Sequence, residues 1–286
     1  MLPFGLRQGR HRPRASADPY HPMFDTPRET IPEPESEVFN PSLSDVLKVR
    51  NLLQSRLSLP EELIDMIMDA AEYWPSIEHA LHEPRVIHKD RDQVLLKTVP
   101  LCYDQNDLEH NPSPNPLPHR GAHPCRKIVF DLLSHDQGGG RSRENIYQFS
   151  WTWFDIEVIH GAHTRNMYVN GCEQEILDNE HGQERKHYTE ADALLLPRSN
   201  KLQVNGGHVG EAQHYTIVWD YRDDLKPDSD EALEIEATQG RGCSTLDGRV
   251  VRELEVGDSI ALWARARFPG WSNHVLRASV RIYWAV

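Results

Sequence analysis

Four separate runs of the chain alternate residue by residue between two side-chain sets, and the spacers between them are rich in turn residues. Alternation with a period of two places one set of side chains on each face of a pleated strand. Ile128, Phe130 and Leu132 alternate with Val129 and Asp131. Tyr147, Phe149, Trp151 and Trp153 share one face, while Phe154, Ile156 and Val158 continue the apolar content on the other. Tyr215, Ile217, Trp219 and Tyr221 alternate with Thr216, Val218 and Asp220. The last run is the cleanest: Leu276, Ala278, Val280, Ile282 and Trp284 oppose Arg277, Ser279, Arg281 and Tyr283. Gly138-Gly139-Gly140, read as a hairpin turn, Asn205-Gly206-Gly207 and Pro269-Gly270-Trp271-Ser272-Asn273 lie between runs. Many strands with little helix between them predict a mainly β fold, a β-sandwich or jelly roll over residues 94–286. The 259–268 run and the final run are expected to pair as an antiparallel hairpin. Apolar alternation carried to the end of the sequence predicts that the final strand lies inside its sheet. The proline-rich stretch 104–124 reads as an extended loop, and the acidic stretches 173–192 and 222–236 as exposed surface.

Ahead of this domain the period changes. Ser42 followed by Asp45 is a helix-start signature, with Val46, Leu47 and Leu53 at helical spacing behind it. Ser58-Leu59-Pro60-Glu61 reads as a second start, where proline fits the first turn and acids favour the positive end of the helix dipole. Leu59, Leu63, Met66 or Ile67, Ala70 and Trp74 form the expected apolar stripe, ended by Pro75. A helical hairpin over 42–75 follows, whose stripe either packs on the sandwich or recruits a partner. Residues 1–41 hold eight of the twenty prolines and almost no periodic apolar pattern, so a disordered tail is expected there. Arg7, Arg10, Arg12 and Arg14 make its first part basic, but Pro3 and Pro13 oppose an amphipathic targeting helix.

Charge narrows the function classes. Lys and Arg number 31 against 44 Asp and Glu, a formal −13, which disfavours nucleic acid as a partner because phosphate binding needs a basic surface. Apolar runs are too short for a membrane-spanning helix, and no apolar signal segment follows the first residues. A cytoplasmic or nuclear location is the expectation. Cys102, Cys125, Cys172 and Cys243 include no C-x-x-C pair and read as ordinary thiols of a reducing compartment. The 16 histidines include the groups His119, His123 and Cys125, His160 with His163, and His208 with His214. None repeats the paired spacing of a zinc site, so no metal is expected. Nucleotide-binding, nucleophile-elbow and metalloprotease motifs are lacking, so neither a cofactor nor a catalytic residue is assigned. Asp131 with Asp136 and Asp155 with Glu157 are paired carboxylates that would support glycoside chemistry only across a cleft.

The remaining candidate surface lies at 263–274. On a strand ending near Phe268, Trp263, Arg265 and Arg267 share one face, opposite Leu262, Ala264 and Ala266, with Trp271 in the loop beyond. An exposed indole beside guanidinium groups could hold a sugar ring or an acidic peptide by stacking and paired hydrogen bonds. Equally, arginine and tryptophan stack on the outer faces of sheets simply to cover aromatic surface.

Two blocks carry a family likeness. Leu59-Pro60-Glu61-Glu62-Leu63 resembles the L-P-x-E-L opening of an F-box. Ser134-His135-Asp136-Gln137-Gly138, Trp151-Thr152-Trp153-Phe154-Asp155 and the run from Val256 to Trp271 resemble a group of uncharacterised filamentous-fungal proteins with a short F-box-like helix before a β-rich domain. The resemblance implies a non-enzymatic adaptor. Leu59, Pro60, Leu63 and Ile67 would meet the linker subunit of a ubiquitin ligase, and the β domain would recognise a protein partner. A full F-box continues into a further helix, whereas here Pro75 and Pro84 follow closely. The rival readings are a lectin-like carbohydrate binder using Trp263, Arg265 and Trp271, and an enzyme with an unrecognised site.

Overall fold

A computed structural model describes residues 39–139, 145–164 and 195–286. Residues 40–286 form one unit. Its elements in chain order are α1 (Leu43–Leu57), α2 (Glu61–Ala70), β1 (Ser76–Ala80), β2 (Arg85–His88), β3 (Gln93–Lys97), α3 (Gln105–His110), β4 (Cys125–His135) and β5 (Thr152–Ile159). Then follow β6 (Gln203–Val204), β7 (Gln213–Asp220), α4 (Asp230–Gln239), α5 (Arg249–Glu253), β8 (Ser259–Ala266) and β9 (Ser272–Trp284). The nine strands build two antiparallel sheets. One has the order β1-β9-β4-β7 with β2 also on β9, and the other has the order β3-β8-β5-β6. The expected mainly β sandwich is therefore present.

The alternation works as the period requires. Phe130 of β4 faces Val280 of β9 and Ile217 of β7, and Phe154 of β5 faces Ala264 of β8. These residues belong to one buried cluster formed from both sheets, together with Ile128, Leu132, Trp219, Leu262 and Ile282. Each large apolar side chain so buried is worth ~1.5–3 kcal/mol, which fixes the register.

The final strand is central, as its alternation predicted, but its neighbours differ. It pairs with β4 along one side and with β1 and β2 along the other. The expected hairpin with the 259–268 run does not form. Strand β8 already has β3 and β5 on its two edges, so β9 has no edge to join there. The chain instead turns a corner from one sheet to the other, with Phe268 at φ 67° and Gly270 at φ 86°. Leu276 is only half buried, because the register against β4 shifts between Leu133 and Ser134. The inward set thus changes from Asn273 and Val275 to Ala278, Val280, Ile282 and Trp284. A one-residue bulge reverses which parity points inward.

Other expectations also change. Strands β1 and β2 precede residue 94, where alternation becomes visible, and are short strands on β9. Phe149 is exposed at φ 62°, so β5 begins only at Thr152 and residues 146–149 are a turn. Gly138 and Gly139 use positive φ, but β4 and β5 lie in different sheets, so this is no hairpin turn. The proline-rich stretch contains α3, capped by Asp104. The acidic stretch around 230 starts α4, capped by Ser229. The expectations for residues 1–38, Gly140, Cys172 and 173–192 lie outside the described residues.

The helical hairpin forms with the α1 cap as predicted, but Ser58, read as capping the start of the second helix, closes α1 instead, and α2 has Pro60 at its cap position with no side-chain cap. Ser42 and Asp45 make a reciprocal capping box, and Ser58 ends α1 in the left-handed conformation. Its packed face comprises Val46, Ile64 and Met68, against Leu59, Tyr73 and Val286. Leu63, Met66 and Ile67 of the expected stripe are exposed instead. Both sets satisfy helical spacing, and they lie about 100° apart on a helix of 3.6 residues per turn. Ion pairs fix the hairpin to the sandwich: Asp65 meets Arg50 and, at 3.0 Å, Arg120, which also holds Asp69. Buried Trp74 donates its Nε1–H to Asp69 at 2.9 Å. Among the described residues no helix is long and apolar enough to cross a membrane.

Candidate functional site

Pro60 stands at the cap position before helix α2, which leaves Glu61 and Glu62 in the first turn, where they complement the helix dipole. Its inner face is packed through Ile64 and Met68. Leu63, Met66 and Ile67 sit one, three and four residues apart on the outer face, at 45, 65 and 44% exposure. Leu57, at the end of α1, is exposed at 61%. Of the predicted recruiting residues, Leu63 and Ile67 therefore face outward, Leu59 packs into the hairpin, and Pro60 occupies the cap position.

The second predicted surface is assembled differently. Alternation does place Trp263 and Arg265 opposite Leu262 and Ala264, on the outer side of the β8 sheet. Yet Trp263 is 3% exposed and Arg267 is 1% exposed, so the expected exposed indole beside arginines is not there. Trp263 packs on Val94, Ile159, Ala162 and Ala261, and its Nε1–H donates to Glu157. Arg265 lies over the Trp263 ring at 4.6 Å and donates to Asp155 and Asp92. Arg267 donates to both oxygens of Asp92 and lies over Trp153. Lys201 also lies over the Trp153 ring, at 3.9 Å, and burial brings its amine down to about 7. Burial also raises the Asp155 carboxyl, against the pull of Arg265. This is a buried, mutually neutralising ion cluster, in which Asp155 Oδ1 and Trp153 Nε1 are left without a hydrogen-bond partner.

Trp271 belongs elsewhere. It lies 5.0 Å from the His208 ring, at the end of the sandwich where β4 runs out and the β8–β9 corner turns. Segments 134–138, 151–155 and 271–274 converge here. Asn205 accepts from Ser134 Oγ–H at 2.8 Å and donates to Thr152 Oγ1 and, at 2.9 Å, to Asn273 Oδ1. Asn273 donates onward to the Trp153 carbonyl, which ties the sheets together. Gln137 accepts the Ser272 backbone N–H. Asp136, fully buried, accepts from the backbone N–H groups of Gly138 and His208, and burial still pushes its carboxyl upward.

On the outer side of this end, His135 and His274 stack at 4.7 Å with 15° between planes. Burial, then the neighbouring His135 and His88, hold the His274 ring below the ordinary histidine value. Ser272 Oγ lies 2.8 Å from His274 Nε2. Among the described residues no carboxylate hydrogen-bonds that ring, so the orienting third member of a nucleophilic triad is missing. The register that pairs His135 with His274 across β4 and β9 has no local sequence signal, and composition alone could not have found it.

The paired carboxylates are separately engaged. Asp131 meets His214 and Arg277 on an outer face, Asp136 is the buried acceptor just described, and Asp155 and Glu157 hold Arg265 and Trp263. Cys102, Cys125 and Cys243 are buried free thiols, and burial pushes Cys125 up to about 12 and Cys243 to about 11. Among the described residues no group of three or more His, Cys, Asp or Glu side chains is placed to hold a metal ion. The chain matches no family model, no curated protein and no solved structure.

Proposed function

We propose that this protein is a non-enzymatic adaptor that docks a partner protein on the outer face of α2 and presents its sandwich to a second protein. The observation that carries the reading is the exposure of Leu63, Met66 and Ile67 together on a helix whose opposite face is packed. Clustered exposed apolar side chains rimmed by charge mark interaction surfaces. Glu61 and Glu62 supply that rim, so the complementary partner has an apolar groove with a basic border. The F-box-like Leu59-Pro60-Glu61-Glu62-Leu63 sequence points to the linker subunit of a ubiquitin ligase as that partner. After α2 the chain enters β1 at Ser76, so the docking face consists of this helix with the end of α1.

The test is direct titration of the full chain with the purified linker subunit. Binding is expected for the natural sequence and at least tenfold weaker binding for Leu63→Asp and Ile67→Asp, with melting temperature preserved in both. Absence of binding at concentrations on the order of 100 μM, where even a weak interface registers, would remove the linker subunit as the partner.

A further inference from the structure

A cavity of about 210 Å³ opens between the sheets beside β7. Its deep walls are Ile156, Leu202, Trp219 and Val251, of which the last three are part of the main buried core. Asp247 and Arg249 stand among its lining residues on the turn that leads into α5. That turn is pre-formed. Arg252 donates to the carbonyls of Tyr221 at 2.9 Å, Asp223 at 2.8 Å and Asp247 at 2.6 Å, and Gly248 adopts φ 64° where an added Cβ would strike the Asp220 and Asp223 carbonyls. Asp247 accepts the Arg249 backbone N–H, and neither side chain is engaged in an ion pair among the described residues.

Protein interiors are close-packed, and an apolar ligand body in this cleft can make packing contacts along Trp219 and Leu202 that water does not supply. An apolar cavity of about 150 Å³ already holds a benzene ring. The Trp219 indole N–H is also buried without an acceptor, which makes the wall itself under-satisfied.

We propose that this cavity binds a small neutral alcohol, with a single aromatic ring or branched aliphatic body against Trp219 and Leu202 and a hydroxyl between Asp247 and Arg249. A hydroxyl both donates and accepts, so it can serve the carboxylate and the guanidinium at once. A carboxylate in the same place is drawn to Arg249 but repelled by Asp247, and an ammonium the reverse, so neither ion gains a net attraction that offsets its desolvation.

Benzyl alcohol, benzoate and benzylammonium are matched probes for the full chain. The readout is the Trp219 indole resonance in ¹H–¹⁵N spectra, assigned with Trp219→Phe. Benzyl alcohol should shift it saturably, with Kd in the ~0.1–10 mM range expected of so small a ligand. Both ions should bind at least tenfold more weakly. Ser244→Phe and Val250→Phe fill the cavity and should abolish the shift. Arg249→Ala, a change at an exposed side chain, keeps the fold and should weaken benzyl alcohol severalfold. A shift that does not saturate, an equal response to all three probes, or undiminished affinity in Arg249→Ala would each overturn the proposal. Persistence of the shift in a folded cavity-filling variant would do the same.

Discussion

Arg267 and Asp92 face each other as a two-pronged pair, both guanidinium nitrogens on both carboxylate oxygens, with the arginine 1% and the aspartate 6% exposed. Removing Arg267 leaves the buried Asp92 charge with Arg265, already shared with Asp155, as its remaining partner. Arg267→Met should therefore lower the unfolding free energy by ~3–5 kcal/mol. Adding Asp92→Asn should restore part of that loss, because the under-compensated charge goes with it. Urea unfolding of the two variants measures both. Additive losses would mean that the pair is not the unit it looks to be.

The two faces of α2 give a second, paired expectation. Ile64 is 2% exposed and Leu63 is 45% exposed, although they are neighbours in sequence. Ile64→Asp places a charge in the seam with Val46, Met68 and Val286 and should cost upwards of ~4 kcal/mol. Leu63→Asp should stay within about 1 kcal/mol. Deleting residues 1–75 removes the whole seam together with Trp74 and should lower the melting temperature or leave the remainder insoluble. A soluble remainder with an unchanged melting temperature would sink this account of the seam.

What was legible before the structure follows from how local the signal was. The capping box at Ser42, the proline at the start of α2 and the alternation through β4, β7 and β9 are decided within a few residues, and these elements stand where expected. Partners of strands are not local. The hairpin expected between the 259–268 run and β9 failed because both edges of β8 were taken by strands a hundred or more residues away in sequence, at β3 and β5. The phase of α2 failed for another reason: Leu63, Ile64, Met66, Ile67 and Met68 are all apolar, so periodicity left two faces available and tertiary packing chose. The surface read from Trp263 and Arg267 dissolved because Asp90, Asp92 and Asp155, on other strands and loops, neutralise its arginines.

His79 ties stability to pH. Its Nε2 accepts the Val99 backbone N–H at 3.1 Å, and burial holds the ring below its ordinary value of 6.5. In acid the unfolded chain takes up this proton first, so the stabilisation is complete above pH 6.5 and is lost as pH falls through the depressed folded value. His274 acts in the same sense, whereas the raised Asp136 and Asp155 carboxyls act oppositely at pH above 3.8. His79→Gln keeps an acceptor for Val99 and cannot titrate. Melting temperatures between pH 5 and 7 should fall less steeply with acid in this variant than in the natural sequence. Parallel curves would show that the ring does not carry the effect.

Lys201 makes a prediction on the alkaline side. Burial brings its amine from 10.5 to about 7, with Arg198 and Arg267 adding to the fall and Asp155 and Glu236 opposing it. Between pH 7 and 10.5 the unfolded chain holds a proton that the folded protein has shed, so stability should rise with pH across that window. Lys201→Met, similar in length and without charge, should remove the contribution of this residue to the rise. Urea midpoints at pH 7 and 9 for both proteins decide the matter, and an unchanged difference between them would place the titration elsewhere.

The final strand offers the sharpest contrast between its two faces. Trp284 is 4% exposed, its Nε1–H donates to the Pro118 carbonyl at 3.2 Å, and its backbone N–H reaches the Pro75 carbonyl at the same distance. It therefore joins the core to the proline-rich loop and to the junction below the helical hairpin. Trp284→Ala opens a large cavity and strands the loop carbonyl, and should cost ~3–5 kcal/mol, a large share of the ~5–15 kcal/mol that holds a domain together. Three residues earlier, Arg281 points outward to Glu78 and Ser76 of β1, with its side chain 25% exposed. A surface pair of this kind contributes ~0–1 kcal/mol, and Arg281→Ala should fall in that range. Urea unfolding of the two variants side by side separates the faces. Equal, small losses would mean that the strand does not lie between β4 and β1 with Trp284 turned inward.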